Sequence, residues 1–145
     1  AYFQEFPGVK KYLDGIKQLA NQQGYVETLL GRRRYFPNLQ SQSNFNMRRL
    51  EEREAINAPI QGTAADIMKL AMLHLPPALK KAGLHCRLLL QVHDELILEC
   101  APEELNEAAR VVQNTMESAY QIGIPLSTEA RSGKNWGIMN VLKTE

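Results

Sequence analysis

His85 to Cys100 reads HCRLLLQVHDELILEC. Leu88, Leu90 and Val92 fall on alternate positions, and Leu96, Leu98 and Cys100 do so again after an interruption. A period of two is the mark of a strand, so the stretch predicts two short strands joined at His93-Asp94-Glu95. Two adjacent carboxylates at a hairpin tip repel one another. A divalent cation placed there would offset that repulsion, and Mg2+ takes oxygen ligands. An ordinary polar turn, where Asp is common, accounts for the same residues. One histidine makes no ligand set, so the residues alone leave both readings open.

Outward from this hairpin the chain alternates helices and strands. Residues 7 to 23 place Val9, Tyr12, Leu13, Ile16, Leu19 and Ala20 at helical spacing, with Pro7 at the start and Gly24 at the stop. In GYVETLLGRRRYFPNL the β-formers flank Gly31, which predicts a strand, a turn and a second short strand. Asn38 to Asn46 reads as a polar, mobile loop. A helical zone begins near Met47 and is divided by Pro59. A buried helix then runs from about Pro59 to Leu75, kinked or stopped at Pro76 and Pro77. Pro102 opens a helix to about Tyr120, Pro125 to Ala130 makes a last strand, and Trp136 anchors the tail by burial. The order predicts one compact α+β unit, an antiparallel sheet with helices packed on one face.

The 145 residues fit one domain, and 44% hydrophobic with 23% charged residues excludes a disordered or collagen-like chain. No apolar run reaches the roughly 18 residues of a membrane span, and the N-terminal residues show no targeting pattern. Two cysteines are too few for a disulfide scaffold, so a reducing, intracellular setting is the expectation. The net charge of +1 hides an uneven distribution. Up to Arg53 nine basic residues stand against five acidic ones, a balance of +4; beyond it eight stand against eleven, or −3. No acid lies between Glu27 and Glu51, where Arg32, Arg33, Arg34, Arg48 and Arg49 fall. Such a run is either a solvated face or a contact for phosphates, which suit the planar guanidinium.

Arg53, Asn57 and Gln61 follow one another at intervals of four, so on continuous helix they share a face. Every base pair offers purine N3 and pyrimidine O2 acceptors in the minor groove, and amide donors could meet them without choosing a sequence. A polar helix start with Gln61 near the cap is the plainer account. Asp66 and Lys69, three apart, suggest a surface ion pair. The chain lacks both GxGxxG and GxxxxGK[ST], which excludes a dinucleotide fold and a P-loop.

Four segments, LLLQVHDELILE, INAPIQGTAADIMKLAM, GYVETLLGRRRYFPNL and SGKNW, resemble motifs of family A DNA polymerases, the bacterial polymerase I type, in the family's order. The resemblance covers about residues 1 to 137. It implies that Asp94 is the palm carboxylate that binds the catalytic metal pair, with Glu95 as an auxiliary acid beside it. His93 resembles the histidine near the primer terminus. Arg53, Asn57 and Gln61 resemble residues that contact template or primer near the new base pair. The Arg32 to Arg34 run resembles a basic segment with a supporting or backbone-contact role.

The resemblance further implies metal-assisted nucleotidyl transfer with two Mg2+ ions, primer-template DNA and deoxynucleoside triphosphates as partners, and a bacterial cytoplasmic, nucleoid-associated setting. It divides the chain into about 1–53, a fingers-side and connecting segment, and about 54–145, the palm. The family's second essential Asp and its triphosphate-binding helix lie upstream of the matched segments. The chain alone is therefore expected to be inactive, to bind Mg2+ weakly, and to self-associate through an open sheet edge. The competing reading is a standalone, non-catalytic DNA-binding or structural module derived from such a polymerase. A metal-dependent nuclease built on His93 to Glu95 is weaker, because no further acidic cluster accompanies them.

Overall fold

The computed structural model describes residues 2–40 and 45–142. The mixture of helices and antiparallel strands bears out the α+β class. The elements run α1 (Tyr2–Glu5), α2 (Pro7–Gln23), β1 (Tyr25–Glu27), β2 (Arg33–Tyr35), α3 (Phe45–Lys81), β3 (Arg87–Val92) and β4 (Glu95–Glu99). A single 3-10 turn (Pro102–Glu104) then leads into α4 (Leu105–Glu117), β5 (Arg131–Asn135) and β6 (Ile138–Val141). Among the described residues the strands pair in three separate two-stranded antiparallel sheets, β1-β2, β3-β4 and β5-β6. The chain forms two compact units, Ala1–Asp66 and Ile67–Glu145.

In the first unit, α2 keeps the bounds that Pro7 and Gly24 signal. Gly24 adopts φ 77° and its N–H returns to the Ala20 carbonyl, the left-handed stop that glycine accommodates best. The core beneath gathers Ala20, Val26, Phe36, Leu39, Ala55 and Ala58, with Ile16 packed against it. Small residues let α2, the β-ribbon and α3 approach closely. The Tyr12 hydroxyl donates to the Ile56 carbonyl at 3.0 Å, joining α2 to α3. The polar loop read over Asn38–Asn46 lies partly outside the described residues. Asn38 itself is fixed, since its N–H and Nδ2 donate to the two carboxylate oxygens of the buried Glu51 at 2.9 and 2.6 Å.

The β1-β2 turn is docked on α3 at Gly62, Thr63 and Asp66. Leu29 N–H donates to Thr63 Oγ1 at 3.0 Å, Arg32 Nε to Asp66 Oδ1 at 2.8 Å, and Arg32 Nη2 to the Gly62 carbonyl at 3.0 Å. A Cβ on Gly62 would lie 2.6 Å from the Thr28 methyl, so the ribbon sits where only a hydrogen fits. Asp66 is buried and bound to Arg32, which corrects the expected surface pair with Lys69.

Contrary to expectation, α3 runs unbroken through Pro59, Pro76 and Pro77. Each proline withholds one N–H, leaving the Ala55, Met72 and Leu73 carbonyls without their helical bond, at a typical cost of ~3 kcal/mol. Helix formers on either side, together with the buried Ala55, Ala58, Ala71, Leu75 and Leu79, outweigh that cost. In the second unit the helix ends at Gly83, φ 71°. Gly83 N–H returns to Lys80 O and Leu84 N–H to Leu79 O, the paired bonds of a Schellman stop.

Pro102 starts a 3-10 turn, and α4 ends at Glu117, with Ala108 and Ala109 buried. The strand expected over Pro125–Ala130 is absent. Thr128 gives its N–H and Oγ1 to Glu117 Oε1 at 2.7 and 2.9 Å, and its carbonyl accepts from Gln113 Nε2 at 2.9 Å. The side chains of α4 thus occupy the backbone groups that a neighbouring strand would need. The final hairpin lies further on, and Trp136 sits in its turn, 52% exposed and not buried as an anchor. Gly133 is obligatory there, because any Cβ would land on the Ile138 carbonyl.

Arg32→Ala should lower the unfolding free energy by about 1–3 kcal/mol, because it removes the two hydrogen bonds that tie the turn to the Asp66 carboxylate and the Gly62 carbonyl of α3. Arg32→Lys should recover only part of that loss, since a single ammonium cannot reach both Asp66 and the Gly62 carbonyl as the guanidinium fork does. Urea denaturation of the two variants checks both statements; full rescue by Lys would contradict the forked geometry.

Candidate functional site

The hairpin read over His85 to Cys100 forms from Arg87 to Glu99, with Val92 opposite Glu95 and Gln91 opposite Leu96. The turn between them is two residues long, His93-Asp94. His93 takes φ 53°, and among the described residues it is the one non-glycine with positive φ. Two-residue hairpin turns require positive φ at the first central position, where glycine is usual, and a histidine there carries about 1–2 kcal/mol of strain. Gln91 Nε2 donates to the His93 carbonyl across the turn. His93, Asp94 and Glu95 are all exposed. The flanking strands are less buried than their apolar pattern suggests, with Leu89 46% and Leu90 51% exposed. A two-stranded ribbon has two faces, and among the described residues β3 and β4 pair only with each other.

Asp94 and Glu95 present carboxylate oxygens, the donors that a hard cation prefers. They do not fit Mg2+ by number. Among the described residues no group of three or more His, Cys, Asp or Glu side chains could hold a metal ion. The pair is a partial ligand set, and no chemical step can be assigned to a cation on these two residues alone.

The second set lies on α3 in the first unit. Because the helix is continuous at Pro59, Arg53, Asn57 and Gln61 follow one slanting stripe. It turns by about 40° per step and rises about 12 Å from first to last. All three side chains are exposed. Gln61 lines a shallow cleft of about 80 Å³ with Gly62, Thr28 and the three consecutive arginines.

Those arginines do not form a free basic patch. Arg32 pairs with Asp66, Arg33 with Glu27 at 2.7 Å, and Arg34 with Glu54 at 2.7 Å. Arg33 and Arg34 also lie over the Tyr25 and Phe36 rings, at 4.6 and 5.5 Å from the centroids. Glu27, through its hydrogen bond, is the main reason the Arg33 guanidinium holds its proton even more firmly than usual. Acids from the flanks and from α3 thus neutralise a stretch that carries none itself.

The structure therefore sorts the six candidate residues into two sets: His93, Asp94 and Glu95 at one hairpin tip, with Glu95 the first residue of β4, and Arg53, Asn57 and Gln61 on one helical stripe. Sequence reasoning missed Thr63 and Gly62 among the groups that seat the cleft, and gave Asp66 to Lys69 rather than Arg32. Their local signal was a Gly-Thr pair inside a helix with an acid one turn on, and the partner was too remote in sequence to be read.

The family model for DNA polymerase family A matches residues 1–138. DNA polymerase I of Bacillus caldotenax is 53% identical over 135 residues, 93% of this chain and 15% of that protein. DNA polymerase I of Chloroflexus aurantiacus is 48% identical over 141 residues, 97% of this chain and 15% of that protein. The POL domain of Pol1 from M. smegmatis, solved in complex with DNA primer-template and dNTP, matches with a TM-score of 0.82 at 48% identity. That match covers 87% of this chain and 22% of the solved one. The chain spans about 15% of the length of the curated relatives it matches. With its motifs, its fold and a match over residues 1–138 in agreement, the chain belongs to DNA polymerase family A.

Proposed function

We propose that this chain is a C-terminal portion of a DNA-directed DNA polymerase, working in the bacterial cytoplasm at the nucleoid. Its acidic hairpin would contribute to a metal site beside the primer 3′ end. The observation that carries this reading is the hairpin tip, where the exposed turn residues His93 and Asp94 and the first residue of β4, Glu95, stand together, with His93 at positive φ. In this reading Asp94 and Glu95 supply part of the oxygen ligand set, and His93 contacts the primer terminus. Bound Mg2+ ions would supply charge neutralisation for the triphosphate and activation of the 3′-hydroxyl.

The chain's own residues bind and orient. Asn57 and Gln61 donate to minor-groove acceptors that every base pair presents, so they sense pair shape rather than sequence. Arg53, for which the described residues supply no ion-pair partner, is available to a phosphate or base of the duplex. Residues up to about 53 serve the fingers side and those from about 54 the palm. The incoming deoxynucleoside triphosphate and the remaining metal ligands would be held by parts of the enzyme beyond these residues. The isolated chain is inactive in this account, and its unpaired strand edges favour self-association.

In the longer protein, Asp94→Ala should cut templated primer extension by more than the roughly 10–100-fold typical of losing a residue that only supports a metal ligand. Duplex binding should largely survive. Extension at the parent rate would overturn the assignment.

Gln61→Ala in the same protein should weaken primer-template affinity by about fivefold to tenfold, the value of one hydrogen bond, on every duplex sequence tested. A duplex with 3-deazapurine at the contacted pair removes the acceptor and should produce the same loss without adding to it. Additive losses would show that Gln61 does not donate to that atom.

A further inference from the structure

We infer that Cys86 and Cys100 form a reversible disulfide site at the open end of the acidic hairpin, closed by a small-molecule disulfide such as oxidised glutathione. The ladder pairs Arg87 with Glu99, so one further step along the same register sets Cys86 opposite Cys100. Directly opposed residues of an antiparallel pair have Cα atoms about 4.5–5.5 Å apart, inside the window of about 4.4–6.8 Å that a disulfide spans. Continuing the ladder by one step thus brings the pair within reach of a disulfide. Both cysteines are free and half-buried, and the Cys100 thiol is close enough to Cys86 to raise its proton affinity. The neighbouring His85 side chain is 89% exposed, so a small oxidant can reach this end of the ribbon.

A third group sets the state of the thiols. Cys86 Sγ donates to Glu104 Oε2 at 3.6 Å. That carboxylate is oriented by His85, whose N–H donates to Oε2 at 2.9 Å and whose Nδ1 lies 2.8 Å from Oε1. Burial first, then the Cys100 thiol and the Glu104 carboxylate, push the Cys86 thiol up to about 12. The thiolate is the attacking species, so Cys86 is a poor nucleophile at neutral pH and the reduced pair persists. Oxidation is correspondingly slow near pH 7 and quickens as the pH rises.

The step balances as thiol–disulfide exchange. One cysteine thiolate attacks glutathione disulfide, forms a mixed disulfide and releases one glutathione thiolate. The second cysteine sulfur then attacks the protein-side sulfur of the mixed disulfide, forms the Cys86–Cys100 bond and releases the second glutathione. The two protons lost by the cysteines end on the two glutathione thiolates. The product is a covalent ring from 86 to 100 with His93, Asp94 and Glu95 at its far end.

The reduced chain is incubated with oxidised glutathione at pH 8, quenched in acid, alkylated and mapped by mass spectrometry. The expected result is an intact mass lower by two hydrogen atoms, a cross-link joining the Cys86 and Cys100 peptides, and reversal by dithiothreitol. Amide hydrogen exchange from Leu88 to Leu98 should slow in the linked form. Cys100→Ser, with its fold checked by circular dichroism, should give at most one glutathione adduct and no loss of hydrogens. Two alkylatable thiols after equilibration, a stable double glutathione adduct, or links formed only between chains would each overturn the proposal.

Discussion

One guanidinium holds the first unit in its working form. Arg32 reaches from the β1-β2 turn to Asp66 and to the Gly62 carbonyl, and so ties a two-stranded ribbon to a helix residues away in sequence. A ribbon of three residues per strand is too short to stand alone, since isolated two-stranded hairpins are marginal in water. Its position therefore depends on α3, through Arg32, the Thr63 hydroxyl and the missing side chain at Gly62. The cleft that Gln61 lines exists because that docking holds. A function that needs Gln61 presented at a fixed height above the arginines inherits the same dependence.

The second unit carries its chemistry differently. The acidic turn is exposed and rests on strands that are only half covered, with His93 in a conformation that favours glycine. Strain of this kind persists where the surroundings over-determine it, and here Gln91 and the β3-β4 register do so. Leu89 and Leu90 leave apolar surface exposed on this ribbon.

What could be read from sequence was what local physics decides. Pro7 and Gly24 bound α2 because a proline start and a left-handed stop act within one turn. The alternation around His93 to Glu95 gave the hairpin because side-chain direction in a strand has a period of two. The misreadings share a non-local cause. Pro59 and Pro76 do not stop α3, because packing of buried alanines and leucines along the helix outweighs the missing bonds. Residues 125–130 are not a strand, and Gln113 and Glu117 of α4 take both backbone hydrogen bonds of Thr128 within them. Asp66 finds Arg32 rather than Lys69, and the basic run is neutralised by Glu27, Glu54 and Asp66. For the site, the residue types at the tip were legible, but their roles came from resemblance, and the continuity of the Arg53-Asn57-Gln61 stripe came from the structure.

The claim that the acidic turn is a cation-binding point can be tested on this chain directly. Mn2+ accepts the same oxygen ligands as Mg2+ and broadens nearby amide resonances even when it binds weakly. Titrated into the isotope-labelled chain, it should broaden His93, Asp94 and Glu95 first, and excess Mg2+ should reverse the effect. Broadening centred elsewhere, or a turn left sharp at millimolar Mn2+, would contradict the account.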